Sequence, residues 1–307
     1  MSLLVDGSLA FDTIQTPYGK VEKCLGGSAT YFSLAASYFT EVRVVGVVGD
    51  DFTAVEENVL RERGVKTEGI QHAPGKTFHW SGEYGDNLNE AKTHLTELNV
   101  FEKFEPQIPP AFFSTDYLFL ANIDPVLQAG VRRRLPGAKL VGGDTMNFWI
   151  QGKPKELAET LAQIDLLLIN DGEARLLAGD PSLPRAARKI LTMGPKAVVL
   201  KHGEYGATIF LGKGGFGMGS HPFRAPALPL DEVRDPTGAG DSFAGGFMGY
   251  IASQGELSRE VLKRALFYGG VMGSFAVERF GTERLQSLTR EEIDARFQIF
   301  RELTHLE

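Results

Sequence analysis

The stretch RDPTGAGDSF, Arg234 to Phe243, holds two aspartates around a run of residues with almost no side chain. Asp235 opens it, Asp241 closes it, and Thr237, Gly238, Ala239 and Gly240 lie between them. An apolar, helix-compatible run from Ser242 to Ala252 follows directly. A glycine-rich turn feeding a helix N-terminus presents unpaired backbone N–H groups and the positive end of the helix dipole, which together attract an anion. A carboxylate beside such a hole suits a base working next to developing phosphoryl charge. The competing reading of Asp241 is a plain helix cap.

Other glycine patterns fail on context. GKGGFG, Gly212 to Gly217, has the spacing of a dinucleotide fingerprint, which needs a helix immediately after it. MGSHPFRAPALPL follows instead, and its prolines forbid one, so a β-hairpin loop is expected. GKT, Gly75 to Thr77, lacks the first glycine of a phosphate-binding P-loop, because Ile70 stands there.

The elements that must position the loop read as β-then-α units. RVVGVV (Arg43 to Val48) precedes a helix closed by Gly64, and YLFLAN (Tyr117 to Asn122) precedes a helix around Val126 to Leu135. KLVGGD leads to KELAETLAQ, LLLIN (Leu166 to Asn170) leads to EARLLAG, and AVVLK (Ala197 to Lys201) is a further apolar strand. Such alternation implies an α/β protein whose mostly parallel central sheet is covered on both faces. Residues 9–25 and about 77–105 break the rhythm with polar-alternating stretches such as KTFHWSGEY, which read as antiparallel strands of a small β lid. No linker or repeat divides the chain, so residues 1–307 read as one domain. TREE, Thr289 to Glu292, has capping-box spacing for a final helix.

A net charge of -7 with no basic block argues against nucleic acid as a partner. The single cysteine, Cys24, excludes an internal disulfide and suits a reducing cytoplasm. No leader and no membrane span is read, so a cytoplasmic protein is expected.

Together the motifs resemble the ribokinase-like (PfkB) family of carbohydrate and nucleoside kinases. DPTGAGDSFAGGF is similar to its C-terminal signature, and GGSATYFSLAASYF (Gly26 to Phe39) to its N-terminal one. VDGSLAFD (Val5 to Asp12) resembles its first strand and substrate-binding acid. NDGEARLLAG (Asn170 to Gly179) resembles its N-x-x-E motif, and KHGEYGA (Lys201 to Ala207) its nucleotide-side strand and turn. The resemblance implies a three-layer α/β/α fold with a β lid, and ATP-dependent phosphorylation of a hydroxymethyl group on a sugar or nucleoside. Asp241 would be the base, and the N–H groups of Gly238, Ala239 and Gly240 would form the hole for the transferred phosphoryl. Glu173 would help hold Mg2+, with Asn170 near the phosphates; taken alone, NDGE reads as a helix N-terminus with a dipole-favoured acid. Lys201, Gly203 and Gly206 would lie along ATP. Asp235 and Thr237 would shape the loop, and Asp235 would neighbour a monovalent cation (K+) site. Asp12 would bind sugar hydroxyls, Gly26 and Gly27 would let the acceptor approach backbone, and Asn122 is a further acceptor-side candidate. Many members pair through the lid, which suggests a homodimer.

The chain departs from the family pattern on the acceptor side. SATYFS follows the paired glycines where members that take phosphorylated sugars carry a lysine, so an uncharged acceptor is expected. Ala10 stands where ribokinases have asparagine. Phe11, Tyr31, Phe32, His79 and Trp80 could supply a stacking surface for adenosine or another nucleoside, or could be packing residues. GDTMNFW, Gly143 to Trp149, lacks the arginine that many members carry in this region. A non-catalytic nucleotide- or sugar-binding protein is the rival from another class.

Overall fold

The computed structural model describes residues 1–304 except 214, 218 and 220. The N-terminal half runs β1 (Ser2–Asp6), β2 (Ala10–Thr16), β3 (Gly19–Gly26), α1 (Ser28–Ala36), β4 (Glu41–Val48), α2 (Ala54–Glu62), β5 (Lys66–His72), β6 (Phe78–Tyr84) and β7 (Ala91–Glu97). Then follow β8 (Tyr117–Leu120), α3 (Pro125–Arg134), β9 (Leu140–Gly143), α4 (Asn147–Gly152), α5 (Pro154–Leu161), β10 (Leu166–Asn170), α6 (Asp171–Ala178) and α7 (Leu183–Ile190). The chain closes with β11 (Ala197–Lys201), β12 (Ala207–Leu211), β13 (Phe223–Ala225), α8 (Ala239–Gln254), α9 (Arg259–Ala276), α10 (Glu283–Ser287) and α11 (Arg290–Thr304).

Among the described residues, nine strands form one sheet in the order β13-β12-β11-β10-β9-β8-β1-β4-β5. The pairs from β11 to β5 are parallel, and only β12 and β13 run against their neighbours. The apolar strands are buried on both faces, as continuous Val/Leu/Ile runs require. Alternation splits them between two cores: Leu3 and Val5 join α1, α8 and α9, while Leu4 joins α3, α5, α6 and α7. The result is the expected three-layer α/β/α arrangement. GKGGFG falls in the connection between β12 and β13, an antiparallel pair, so the hairpin expectation holds there; Gly214 itself lies outside the described residues.

The glycines after the opening loop have a packing role. A Cβ on Gly245 would lie 2.4 Å from the Phe32 carbonyl oxygen of α1, and one on Gly246 2.6 Å from that of Tyr268 in α9. The small residues therefore let α8 lie close between two helices. The TREE capping box forms at the start of α11, with Thr289 and Glu292 each accepting the other's backbone N–H, at 3.2 and 2.9 Å.

The second sheet has the order β3-β2-β6-β7. Its strands begin at Ala10 and Phe78, and residues 99–103 form a short 3-10 turn beyond β7. One expectation needs correction. β2 and β3 are antiparallel, as are β6 and β7, but β2 and β6 run parallel. The chain passes through β4, α2 and β5 of the main sheet before returning as β6, and such a crossover lets it pair in the same direction.

Candidate active site

The chemistry-bearing side chains gather at the carboxyl ends of the parallel strands, where open α/β sheets bind ligands. Asn122 and Asp144 follow β8 and β9, Asn170 ends β10, and Lys201 ends β11. Asp12 comes from β2 of the second sheet, and Asp241 from the first turn of α8.

Helix α8 begins at Ala239, three residues before the expected Ser242. Its N-cap is Gly238, in the left-handed region at φ 71, with no side-chain cap. Asp241 is therefore not the cap, and the helix starts inside the small-residue run. A Cβ on Gly238 would also meet the Tyr31 ring at 2.3 Å. Both facts require glycine there. The N–H groups of Gly238 and Gly240 have no hydrogen-bond partner among the described residues, as an anion hole needs. The N–H of Ala239 instead donates to the Pro236 carbonyl at 3.2 Å, because Pro236–Ala239 closes a tight turn. The Ala239 N–H, expected in the hole with its two neighbours, is thus engaged in the turn in this structure.

Asp241 is half-buried beside this cradle. Burial first, and the Asp144 carboxylate second, push its carboxyl up to about 7, with Lys201 opposing. Lys201 Nζ lies 3.2 Å from Asp144 Oδ2, and a Cβ on Gly240 would meet it at 3.0 Å. Burial works against the ammonium, but Asp144, Glu173 and Asp241 outweigh it and hold Lys201 above its usual range. Asp144 also accepts the Thr145 N–H at 2.7 Å.

Asn170 and Glu173 form a reciprocal capping box on α6, each accepting the other's backbone N–H at 2.8 Å. The structural reading of NDGE is thus realised, yet it does not exhaust Glu173. Burial and the Asp144 carboxylate push Glu173 up to about 7, and among the described residues only its Oε2 is engaged. Asp235 is fully buried; its two oxygens accept Thr237 N–H at 2.9 Å and Gly281 N–H at 2.8 Å, so it ties the loop to the start of α10.

A cavity of about 490 Å³ is lined by Lys201 and Gly240, by Gly203 and Gly206, and by the apolar Leu228 and Leu230. A cation and open backbone N–H groups together with apolar walls suit a phosphate-bearing ligand with a flat ring.

On the other side stands Asp12, 4% exposed. Burial and the Asp235 carboxylate push it up to about 7, and the Gly27 backbone N–H counters them. A Cβ on Gly26 would lie 1.9 Å from Asp12 Oδ2, so the missing side chain gives the carboxylate its place. Asn122 Oδ1 accepts the Trp149 indole N–H at 3.1 Å.

The aromatic candidates separate cleanly. Phe32 is fully buried and stacks on Phe119 at 4.5 Å, and Phe11 packs against Phe52. His79 bonds Thr13 and Glu97, which share the opposite face of the second sheet from Asp12. Tyr31 lies under Gly238, its hydroxyl buried without a hydrogen-bond partner among the described residues. Trp80 alone pairs directly with Asp12 across β2 and β6, and so shares its face. Its indole crosses Gly82, where a Cβ would be 2.4 Å away, and donates to Thr93 Oγ1 at 3.2 Å.

Sequence reading missed Asp144 and Tyr84. Asp144 carries a signal in hindsight, since it ends a strand as Asn170 and Lys201 do. Tyr84, whose hydroxyl accepts from Thr237 Oγ1 at 3.2 Å, carries none.

Comparison with known proteins gives the family and the fold. The family model described as pfkB family carbohydrate kinase matches residues 3–288. The chain is 29% identical over 285 residues to the cytidine kinase of Thermococcus kodakarensis, covering 86% of this chain and 97% of that one. It is 30% identical over 282 residues to the adenosine kinase of Schizophyllum commune, covering 82% of this chain and 80% of that one. Among solved structures it is similar in fold to the Burkholderia thailandensis nucleoside kinase in complex with ADP-inosine. The TM-score is 0.77 at 20% identity, covering 99% of this chain and 100% of that one. Giardia lamblia ribokinase gives a TM-score of 0.80 at 16% identity, covering 97% and 99%.

Proposed function

The chain belongs to the pfkB carbohydrate kinase family and is a sugar or nucleoside kinase; within that class we propose that Asp241 and the Gly238–Gly240 cradle carry phosphoryl transfer from ATP to a hydroxymethyl group. Asp241 Oδ takes the proton of the acceptor hydroxyl. The acceptor's hydroxyl oxygen forms a bond to the γ-phosphorus, the bond from phosphorus to the bridging oxygen of ADP breaks, and ADP leaves. The free N–H groups of Gly238 and Gly240, with Lys201 beside Gly240, offset the charge on the transferred group. The observation that supports this most is the placement of a carboxylate held near pH 7 beside two unpartnered backbone donors at one helix N-terminus. Replacing Asp241 by Asn is the test. ADP release with the true acceptor should fall about 10²- to 10⁴-fold while ADP binding persists. Retained turnover would remove Asp241 from the role of base.

Mg2+ belongs to the same proposal. Among the described residues no group of three or more His, Cys, Asp or Glu side chains could hold a metal. Mg2+ is ordinarily bound by one or two carboxylates together with water and substrate phosphate oxygens. Glu173, with one oxygen free, is the residue that would hold it beside Asn170. When bound with ATP the ion would neutralise phosphate charge. A K+ ion near Asp235 is likewise proposed, and a K+ titration of the rate tests it.

A nucleoside acceptor is the reading that Trp80 favours. Asp12 would take ribose hydroxyls, and the indole on the same sheet face would stack the base. The exposed edge strand β7 supports pairing of two chains through the second sheet, which sedimentation tests. No helix among the described residues is long and apolar enough to cross a membrane. Action in the cytoplasm, without nucleic acid, is part of the proposal.

A further inference from the structure

The hairpin that joins β6 to β7 pairs with the strand of Asp12 through β6 and also touches the nucleotide side of the cleft. Leu88 and Asn89, at its tip, form part of the wall of the cavity that holds Lys201, Gly203 and Gly206. Asn89 rests on Gly203, where a Cβ would lie 2.0 Å from the Asn89 Oδ1. The tip is held in shape by Asn87, whose Oδ1 accepts the Asn89 backbone N–H at 3.1 Å. The Asn89 carboxamide itself has no hydrogen-bond partner among the described residues. At the base of the hairpin, the Tyr84 hydroxyl accepts from Thr237 Oγ1 at 3.2 Å, and the Thr237 N–H donates to Asp235 at 2.9 Å. One contact thus falls beside Lys201, and the other on the loop that leads into Gly238.

Resting on the ATP reading above, we infer that Asn89 is a nucleotide-binding residue supplied by the second sheet, and that Tyr84 is a positioning residue that ties this sheet to the phosphate loop. The free amide N–H groups of Asn89 donate to the phosphate end of the nucleotide, next to Lys201. Gly203 leaves the space in which Asn89 sits. Tyr84 acts through Thr237, holding the loop and the hairpin in one register. A nucleotide that bonds Asn89 stabilises the closed position of the hairpin before any acceptor arrives. The second sheet is then a wall shared by both substrates.

The test uses the full chain and ADP without acceptor, followed by calorimetry, with thermal melting to show that each variant is folded. Asn89→Ala should weaken ADP binding about three- to tenfold, the worth of one hydrogen bond, and leave the acceptor KM unchanged at saturating ATP. ADP should slow proteolytic cleavage of the 85–90 tip in the unaltered chain, and that protection should vanish in Asn89→Ala. Tyr84→Phe should lower kcat about three- to tenfold with the KM for ATP unchanged. Equal ADP affinity and equal protection in Asn89→Ala and the unaltered chain would overturn the assignment of Asn89 alone. An unchanged kcat in Tyr84→Phe would overturn that of Tyr84. An unaltered chain that binds no ADP would overturn the kinase reading and this inference with it.

Discussion

Lys201 Nζ stands 3.2 Å from Asp144 Oδ2, and this nearly buried pair sets the charge balance that Asp241 and Glu173 feel. Removing one member of a buried pair leaves the other charge uncompensated, so its effects reach beyond the contact. Asp144→Asn removes the carboxylate that, after burial, does most to raise Asp241. The acidic limb of the kcat/KM profile should move to lower pH. A limb that stays in place would show that the base does not sense Asp144.

Asp241 also carries a stability cost that follows from its position. Its carboxyl is raised from 3.8 to about 7 in the fold, so the folded chain binds the extra proton between those values. Stability attributable to this group is lost as pH rises from about 4 and is fully lost above about 7. Asp6 adds to the trend: it is fully buried, neither oxygen has a partner among the described residues, and burial pushes it well above the carboxylate range. Asp241→Asn should therefore melt above the unaltered chain at pH 8, by on the order of 2 kcal/mol, and match it near pH 4. Equal melting at both values would show that Asp241 is solvated in the fold.

Gly26→Ala separates the two halves of the cleft. The new methyl group must displace the Asp12 carboxylate, since the space is 1.9 Å from Oδ2. Acceptor kcat/KM should fall about 100-fold, as a misplacement of an ångström can do, while ADP affinity stays unchanged. Loss of ADP binding as well would mean that the change spreads through α1.

Trp80→Leu decides between acceptors. Turnover of cytidine, adenosine or inosine should drop about tenfold through the loss of base stacking, with ribose and fructose unaffected. An equal drop for sugars would assign Trp80 to packing of the second sheet.

Much of the machine is written locally. The apolar runs fall on β4, β8, β10 and β11 because a strand buried on both faces must be apolar throughout. The GAGD loop is legible because its glycines, acid and helix are contiguous. Within it, the fate of the Ala239 N–H was not legible, since the turn from Pro236 depends on backbone angles that several residue types permit. Nor was the parallel pairing of β2 with β6, which follows from the path through the main sheet. Asp144 and Lys201 are 57 positions apart, and Tyr84 and Thr237 are 153 apart. Trp80, and neither Phe32 nor His79, shares the sheet face of Asp12, because strand register pairs Asp12 with Trp80. The sequence by itself determined the layers and the glycine-rich turn before α8, since each rests on neighbours along the chain, and its ordered motifs carried the family and with it the kinase class. Only the tertiary structure decided which distant charges meet and which face each aromatic ring shares, because strand order and register are properties of the folded sheet.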